Sequence, residues 1–207
     1  MIRFSDADKT RITAAIHAAE KNTSGEFVAV VARSSDHYIF LPLFWAAIIG
    51  LLVPGFFLLS GNQLAVMHIY QIQLAVFIVL ALLFLFVPEI HLWLVPRQLK
   101  HSRASRFAKA QFYQQGVQLT SQHSGVLLFV SLAEHYVEIV ADRGIHEKIG
   151  EQHWQTIVQD FVAHVRKGEV VEGFVDAIGA CGTAMAKHYH PPGPDNKNEL
   201  SDGLIEI

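Results

Sequence analysis

Apolar residues dominate one long stretch of the chain, which contains no Asp, Glu, Lys or Arg from His37 to Pro88. Within it two apolar runs, 40–59 and 72–87, are separated by a short segment with polar side chains. A helix rises about 1.5 Å per residue, so roughly 20 apolar residues cross a hydrocarbon core of about 30 Å. A buried helical pair in a soluble protein is the alternative, but neither run has the polar side that such helices need. The pattern therefore predicts a transmembrane helical hairpin.

Outside this stretch, helical spacing of apolar residues alternates with short, nearly continuous apolar runs. Ser5, with Asp8 three residues later, predicts the N-terminus of a first helix. Runs rich in β-branched residues predict strands, and apolar residues at i, i+3 and i+4 predict helices. The predicted strands are 27–32, 126–132 and 136–141, and the later predicted helices are about 97–122, 149–165 and 171–185.

The order of these elements predicts a small mixed sheet in an α/β domain. A strand, a helix and a strand on one side of the membrane predict a right-handed parallel crossover. The third strand follows the second too closely for a crossover, so we expect it to return antiparallel around Glu134 and His135. The domain is then divided by the hairpin. Its first part is 1–36, the transmembrane hairpin is 37–95, the second part is 96–190, and a C-terminal tail of 191–207 is expected either to form an extended strand or to be disordered.

Positive charges lie on one side of the predicted hairpin. The loop between its two runs has no Lys or Arg, whereas five basic residues follow the second run: Arg97, Lys100, Arg103, Arg106 and Lys109. The positive-inside rule therefore predicts that both termini and the globular domain are cytoplasmic, in a bacterial inner membrane. We expect the five residues to contact headgroups of the lipid bilayer. A nucleic-acid patch is the alternative, but the net charge of −3 argues against a nucleic-acid partner.

Polar motifs stand at the ends of the predicted strands. If the first two strands are parallel and the third runs back, then residues 24–26, 124–125 and 142–144 share one edge of the sheet, away from the membrane. Glu26 and Asp142 are the candidate metal ligands there, for Ca²⁺ or Mg²⁺, although the fold requires no cofactor. The candidate groups for binding an anion or a partner are Arg143, Gly144, Ser124 and Gly125. The alternative is that residues 142–144 form only a capped turn with an ion pair.

The same motifs resemble the TPM-domain family. The resemblance rests on residues 24–26, 124–130 and 137–145, followed by Trp154, Gly173 and the closing residues 198–202. It implies an α/β/α sandwich with a small mixed sheet. Members are implicated in photosystem maintenance as thylakoid acid phosphatases, in receptor modulation and in calcium binding, and many bacterial members have no known activity. The hairpin after the first strand departs from relatives that have a signal peptide and a C-terminal membrane helix, so their lumenal or periplasmic setting does not transfer.

Two functions follow from these observations. The favoured one is a non-catalytic, membrane-anchored binding domain that assists assembly or quality control of another membrane protein, because the sequence offers no strong catalytic constellation. His146 and Glu147 lack the second histidine of a zincin helix, and Cys181 is the single cysteine. The alternative is an enzyme, a metal-assisted phosphomonoester hydrolase of the acid-phosphatase kind. In it Glu26 and Asp142 would hold the metal and Arg143 would clamp phosphate.

Overall fold

The computed structural model describes residues 4–36, 38, 40–61, 64–87, 95–120, 122–191 and 198–207. Outside the described residues lie part of the polar connection in the hairpin, residues 88–94, and residues 192–197 near the start of the tail. The chain divides into two compact units. One consists of Met1–Ser35 with Arg103–Ile207, and the other is Asp36–Ser102.

The second unit contains two apolar helices, α2 (Phe40–Leu59) and α3 (Val66–Phe86). Both are long and apolar enough to cross a membrane, as the hydrophobic pattern predicts. Helix α3 begins well before the predicted apolar run at Ile72. The residues that precede Ile72 include His68 and Tyr70, which are compatible with a helix but not with a purely apolar run. Hydropathy therefore marked the apolar part of this helix and not its first six residues.

The sheet of the first unit contains β1 (Glu26–Ala32), β2 (Gly125–Ser131), β3 (Tyr136–Ala141) and β4 (Ile205–Glu206), in the order β3-β2-β1-β4. Strands β1 and β2 are parallel and β3 returns antiparallel, so both predicted strand directions are confirmed. The turn between β2 and β3 contains no glycine. His135 takes the left-handed position instead, with a φ of 51°. Of the two expectations for the tail, a strand is found at its end, where β4 pairs parallel with β1.

Helices cover both faces of this sheet and confirm the predicted α/β/α sandwich. Alternate residues of β1 point to opposite sides, because successive side chains in a strand do so. Phe27, Ala29 and Val31 pack with three helices, and Val28 and Val30 pack with a fourth helix and a 3₁₀ turn. The first set of helices is α1 (Asp6–Glu20), α6 (Glu151–Lys167) and α7 (Val170–Ala186), and the opposite layer is α4 (Arg97–Gln114) with the turn Val117–Leu119.

Two helix predictions need correction. Helix α4 ends at Gln114 and not near residue 122, because Gly116 adopts a left-handed φ of 72° and breaks the helix. A short helix α5 (Arg143–Ile149) also begins soon after β3, where the sequence predicted a binding site or a capped turn but no helix. A helix of seven residues is too short to show a clear hydrophobic period.

The exit of β1 is fixed by a buried carboxylate. Glu134, in the connection between β2 and β3, is only 3 % exposed. Its oxygens accept hydrogen bonds from Ser34 Oγ at 3.1 Å, from the Ser35 backbone N–H at 3.0 Å and from Ser131 Oγ. Buried polar groups require such partners, and the two bonds from Ser34 and Ser35 tie the chain that leaves β1 to the turn between β2 and β3.

Helices α1 and α7 approach closely at one glycine, which yields a stability prediction. A methyl group at Gly182 would lie 2.8 Å from Ala19 Cβ, whereas a methyl group at Gly179 of the same helix would meet nothing within 4 Å. Both Gly→Ala changes raise helix propensity equally, so only the packing differs. We expect Gly182→Ala to be less stable than Gly179→Ala by about 1–3 kcal/mol. Urea unfolding of the detergent-solubilised protein measures this difference, and equal stabilities would contradict the close helix contact.

Candidate functional site

The end of α1 and the C-terminal tail bring together three groups that bind metals. One ligand atom from each of His17, Glu20 and Asp202 lies within 4.8 Å of the other two. His17 and Glu20 are three residues apart, so they share one face of α1. Asp202 reaches them from the tail, and its Oδ2 lies 2.7 Å from His17 Nδ1. Together with Glu26, described below, these residues are called the edge cluster.

Glu20 is held at the start of β1 by the backbone. The N–H of Phe27 donates a hydrogen bond of 3.0 Å to Glu20 Oε1. Burial raises the pKa of Glu20 to about 8; the Phe27 N–H opposes this rise, and the nearby Asp202 and Glu26 carboxylates add to it. The environment therefore disfavours a bare negative charge on this side chain.

Glu26 is the first residue of β1, and its side chain adds a buried acid beside Glu20. It is 5 % exposed. Backbone N–H groups of Glu199 and Leu200 donate to its carboxylate, but its Oε2 is buried without a hydrogen-bond partner in the described chain. Burial raises the pKa of Glu26, the two tail amides oppose the rise, and the Glu199 and Asp202 carboxylates reinforce it. An unpartnered buried carboxylate oxygen next to other acids is a free ligand position for a cation.

The tail completes this arrangement. The Asn198 side-chain amide donates a hydrogen bond of 2.6 Å to Asp202 Oδ1, so both oxygens of Asp202 are directed by neighbours. Three carboxylates and one imidazole then converge where α1, β1 and the tail meet. Like charges at short distance raise the pKa of each other, and a divalent cation between them removes that repulsion. This geometry suits cation binding better than acid–base catalysis on a substrate.

The structure places the two predicted metal ligands in different surroundings. Glu26 lies opposite Gly125 and Ala141 lies opposite Val126, so the starts of β1 and β2 and the end of β3 do share one edge. Asp142 follows there, and its Oδ2 lies 3.5 Å from His123 Nδ1. The Glu26 carboxylate is instead bonded by the tail on the opposite side of β1.

The predicted anion-binding groups serve local structure. Ser124 is buried, its Oγ donates to the Ser24 carbonyl at 2.9 Å, and its N–H donates to Thr120 Oγ1 at 3.0 Å. A methyl group at Gly125 would lie 2.3 Å from the Val117 carbonyl oxygen, so this glycine permits a close backbone approach. Gly144 has ordinary space around it.

Arg143 is 89 % exposed, and its Nε lies 2.8 Å from Glu147 Oε1, one helical turn away in α5. The five predicted headgroup residues all lie on α4. Arg97, Arg106 and Lys109 are exposed, and Lys100 and Arg103 are half-buried. Helix α4 therefore presents a basic surface along its length.

Sequence reasoning missed His17, Glu20 and Asp202. The available signals were a histidine and a glutamate at i, i+3 near the end of α1, and acids in the tail. Both signals are common on exposed helices and tails. Only the docking of the tail on β1 brings them to one place.

The raised pKa of Glu20 yields a pH dependence. A carboxyl group whose pKa rises on folding stabilises the fold fully below its ordinary pKa, here 4.5, and this contribution is lost as pH rises through about 8. We expect the melting temperature of the cation-free protein to fall between these pH values. The change Glu20→Gln keeps an acceptor for the Phe27 N–H but cannot ionise, so it should reduce the slope. Equal slopes in thermal melts of the two proteins in EDTA would contradict the assignment.

Comparison with known proteins identifies the domain. The model of the TPM domain family matches residues 88–184. Among solved structures, the NMR structure of the BA42 protein from the psychrophilic bacterium Bizionia argentinensis is similar with a TM-score of 0.62. That similarity covers 100 % of this chain and 97 % of the other at 18 % sequence identity, a likeness of fold. No curated protein matches the chain significantly. The resemblance seen in the sequence is thus confirmed over residues 88–184, which match the TPM domain, and two apolar helices lie between β1 and α4.

Proposed function

We propose that this protein is a membrane-anchored, non-catalytic binding domain that takes a divalent cation at the edge cluster. The observation that carries the proposal is the convergence of His17, Glu20 and Asp202 within 4.8 Å. Glu26 supports it through its buried, unpartnered Oε2. The partner predicted from the sequence, another membrane protein in assembly or quality control, stays a prediction.

The donor set indicates the class of cation. The sequence predicted Ca²⁺ or Mg²⁺, which prefer ligand shells made of oxygen. An imidazole with carboxylates is instead typical of sites for Mn²⁺ or Zn²⁺. With His17 as a ligand we therefore expect Mn²⁺ or Zn²⁺ to bind more tightly than the two alkaline-earth ions. The cation would neutralise acids that burial and mutual repulsion otherwise keep from ionising.

The alternative, a phosphomonoester hydrolase, finds less support in the contacts of its predicted residues. It requires Glu26 and Asp142 on one metal, whereas the former accepts tail amides and the latter contacts His123. Arg143 would also have to leave Glu147 to clamp phosphate. The binding role is therefore the better account of these side chains.

The apolar helices and the basic helix α4 support the proposed location. Helices α2 and α3 are each long enough to cross the hydrocarbon core. The basic side chains of α4 follow them in the chain, as cytoplasmic flanks of membrane helices do. We therefore place the TPM domain and both termini in the cytoplasm of a bacterium, with α4 against anionic headgroups.

Cation binding is measured by titrating the full-length, detergent-solubilised protein, after removal of metals with EDTA, with MnCl₂, ZnCl₂, CaCl₂ and MgCl₂ in a calorimeter. We expect one site, and we expect Glu20→Gln and Asp202→Asn each to weaken Mn²⁺ binding by at least about tenfold, because each removes a charged ligand. Glu172→Gln is the matched control, since that exposed carboxylate pairs with Arg11 at 2.8 Å, away from the edge cluster.

Unchanged Mn²⁺ affinity in both variants, or no binding of any of the four cations, would remove the proposed site. Hydrolysis of a generic phosphomonoester that is lost in Asp142→Asn would instead favour the phosphatase alternative.

The orientation is measured by labelling single cysteines. The native Cys181 is buried and burial raises its pKa to about 12, so it provides a silent background. In spheroplasts, we expect a membrane-impermeant maleimide to label Ser60→Cys, after the end of α2, because the loop faces outward. Lys187→Cys, on the exposed end of the TPM domain, should react only after lysis. The reverse pattern would invert the proposed orientation, and labelling of both before lysis would contradict the anchor.

A further inference from the structure

The C-terminal segment 198–207, here called the strap, covers one edge of β1 through a short strand pairing and through the Glu199 and Leu200 amides that bond the Glu26 carboxylate. Only Ile205 and Glu206 pair with the strand, opposite Val30 and Val31. Two flanking backbone bonds extend the pairing: Arg33 N–H to the Ile207 carbonyl at 2.8 Å, and Ile207 N–H to the Val31 carbonyl at 2.9 Å. Strands in globular proteins usually have about five or six residues, so this pairing alone holds the strap weakly.

The side chains of the strap add little apolar stabilisation. Leu200, Leu204 and Ile205 pack against the two cores but are only partly buried. Its ion pair from Glu206 to Lys9, at 2.8 Å, joins side chains that are 38 % and 41 % exposed. Exposed ion pairs of this kind contribute about 0–1 kcal/mol.

Docking of the strap also brings acidic side chains close together. Asp202 approaches Glu20, and Glu199 and Asp202 both approach Glu26. Among the described residues, His17 is the basic side chain in direct contact with Asp202, and its Nδ1 lies 2.7 Å from Asp202 Oδ2. Because these acids lie at the seam between the strap and the body of the domain, docking without a cation leaves them either charged side by side or obliged to take up protons, and both cost free energy.

We infer that the cation fastens the strap to the edge of β1, and that removal of the cation releases it. The inference rests on the proposed cation site. Two ligands, His17 and Glu20, belong to α1, and the third, Asp202, belongs to the strap, so an ion bound by all three necessarily joins the two segments. By linkage, an ion that binds only the docked form shifts the equilibrium toward that form.

Release would change the surface that the domain offers. The strap covers the N–H of Arg33 and the carbonyl of Val31, and its departure would leave both without these backbone partners. An edge strand with open backbone groups is a template for pairing with another extended chain. The cation would thereby control whether the edge of β1 is closed by this protein's own tail.

Hydrogen exchange of the full-length protein, followed by mass spectrometry in Mn²⁺ and in EDTA, tests the strap. We expect the amides of residues 203–207 and of Arg33 to exchange at least about tenfold faster in EDTA, since their protection depends on docking. The amides of β2 are the internal control and should not change. In Asp202→Asn, exchange of the strap should no longer respond to Mn²⁺, whereas Lys9→Gln, which removes only the surface ion pair, should retain the response.

The outcomes separate the two proposals. If calorimetry shows Mn²⁺ binding that depends on Glu20 but the strap exchanges equally with and without the ion, the cation site stands and the strap inference is overturned. If Mn²⁺ does not bind, both are overturned. A response to Mn²⁺ that persists in Asp202→Asn would also contradict the inference, because the strap would then be fastened without its own ligand.

Discussion

The complete burial of β1 is the constraint on which the rest of the globular domain depends. All seven of its residues are buried, with helices on both faces and strands on both edges. Six of these seven residues are apolar, as burial on both faces requires, and Glu26 at the start is the exception; the backbone groups need partners from neighbouring chain segments. Strand β2 provides them along one edge in full register. The other edge depends on a tail that is distant in sequence, and this asymmetry creates the polar chemistry of the domain.

Where the tail pairing stops, side chains take over its role. Strand β4 pairs with β1 only at Val30 and Val31. Nearer the start of β1, the Phe27 N–H is bonded by the Glu20 carboxylate, and the Glu26 carboxylate accepts two tail amides. Carboxylates that replace strand pairing satisfy the backbone, but they gather negative charge in a partly buried place. The edge cluster is therefore a result of how the sheet ends, and a cation there would relieve the strain of like charges.

Much of the fold followed from local pattern, and its exceptions have local causes. The two apolar helices, the three longer strands, the antiparallel return at His135 and the main core helices agree with hydrophobic period and length. Helix α4 ended early because Gly116 takes a left-handed conformation, and α5 was missed because one or two turns carry no measurable period. For the site, the common edge of the three motifs was correctly placed, but the partners of Glu26 and Asp142 were not foreseeable.

The sequence by itself determined the class of fold, the apolar hairpin between β1 and α4, and the TPM resemblance, because hydrophobic period, strand composition and charge distribution act over short distances along the chain. Only the tertiary structure decided that the last residues close the edge of β1 and that Asp202 meets His17 and Glu20. The tail is short, mixed in character and far in sequence from α1, so no local preference specifies its docking. The docking position of the tail is set by unpaired backbone groups and buried acids along the free edge of β1. That edge exists only once the sheet has formed.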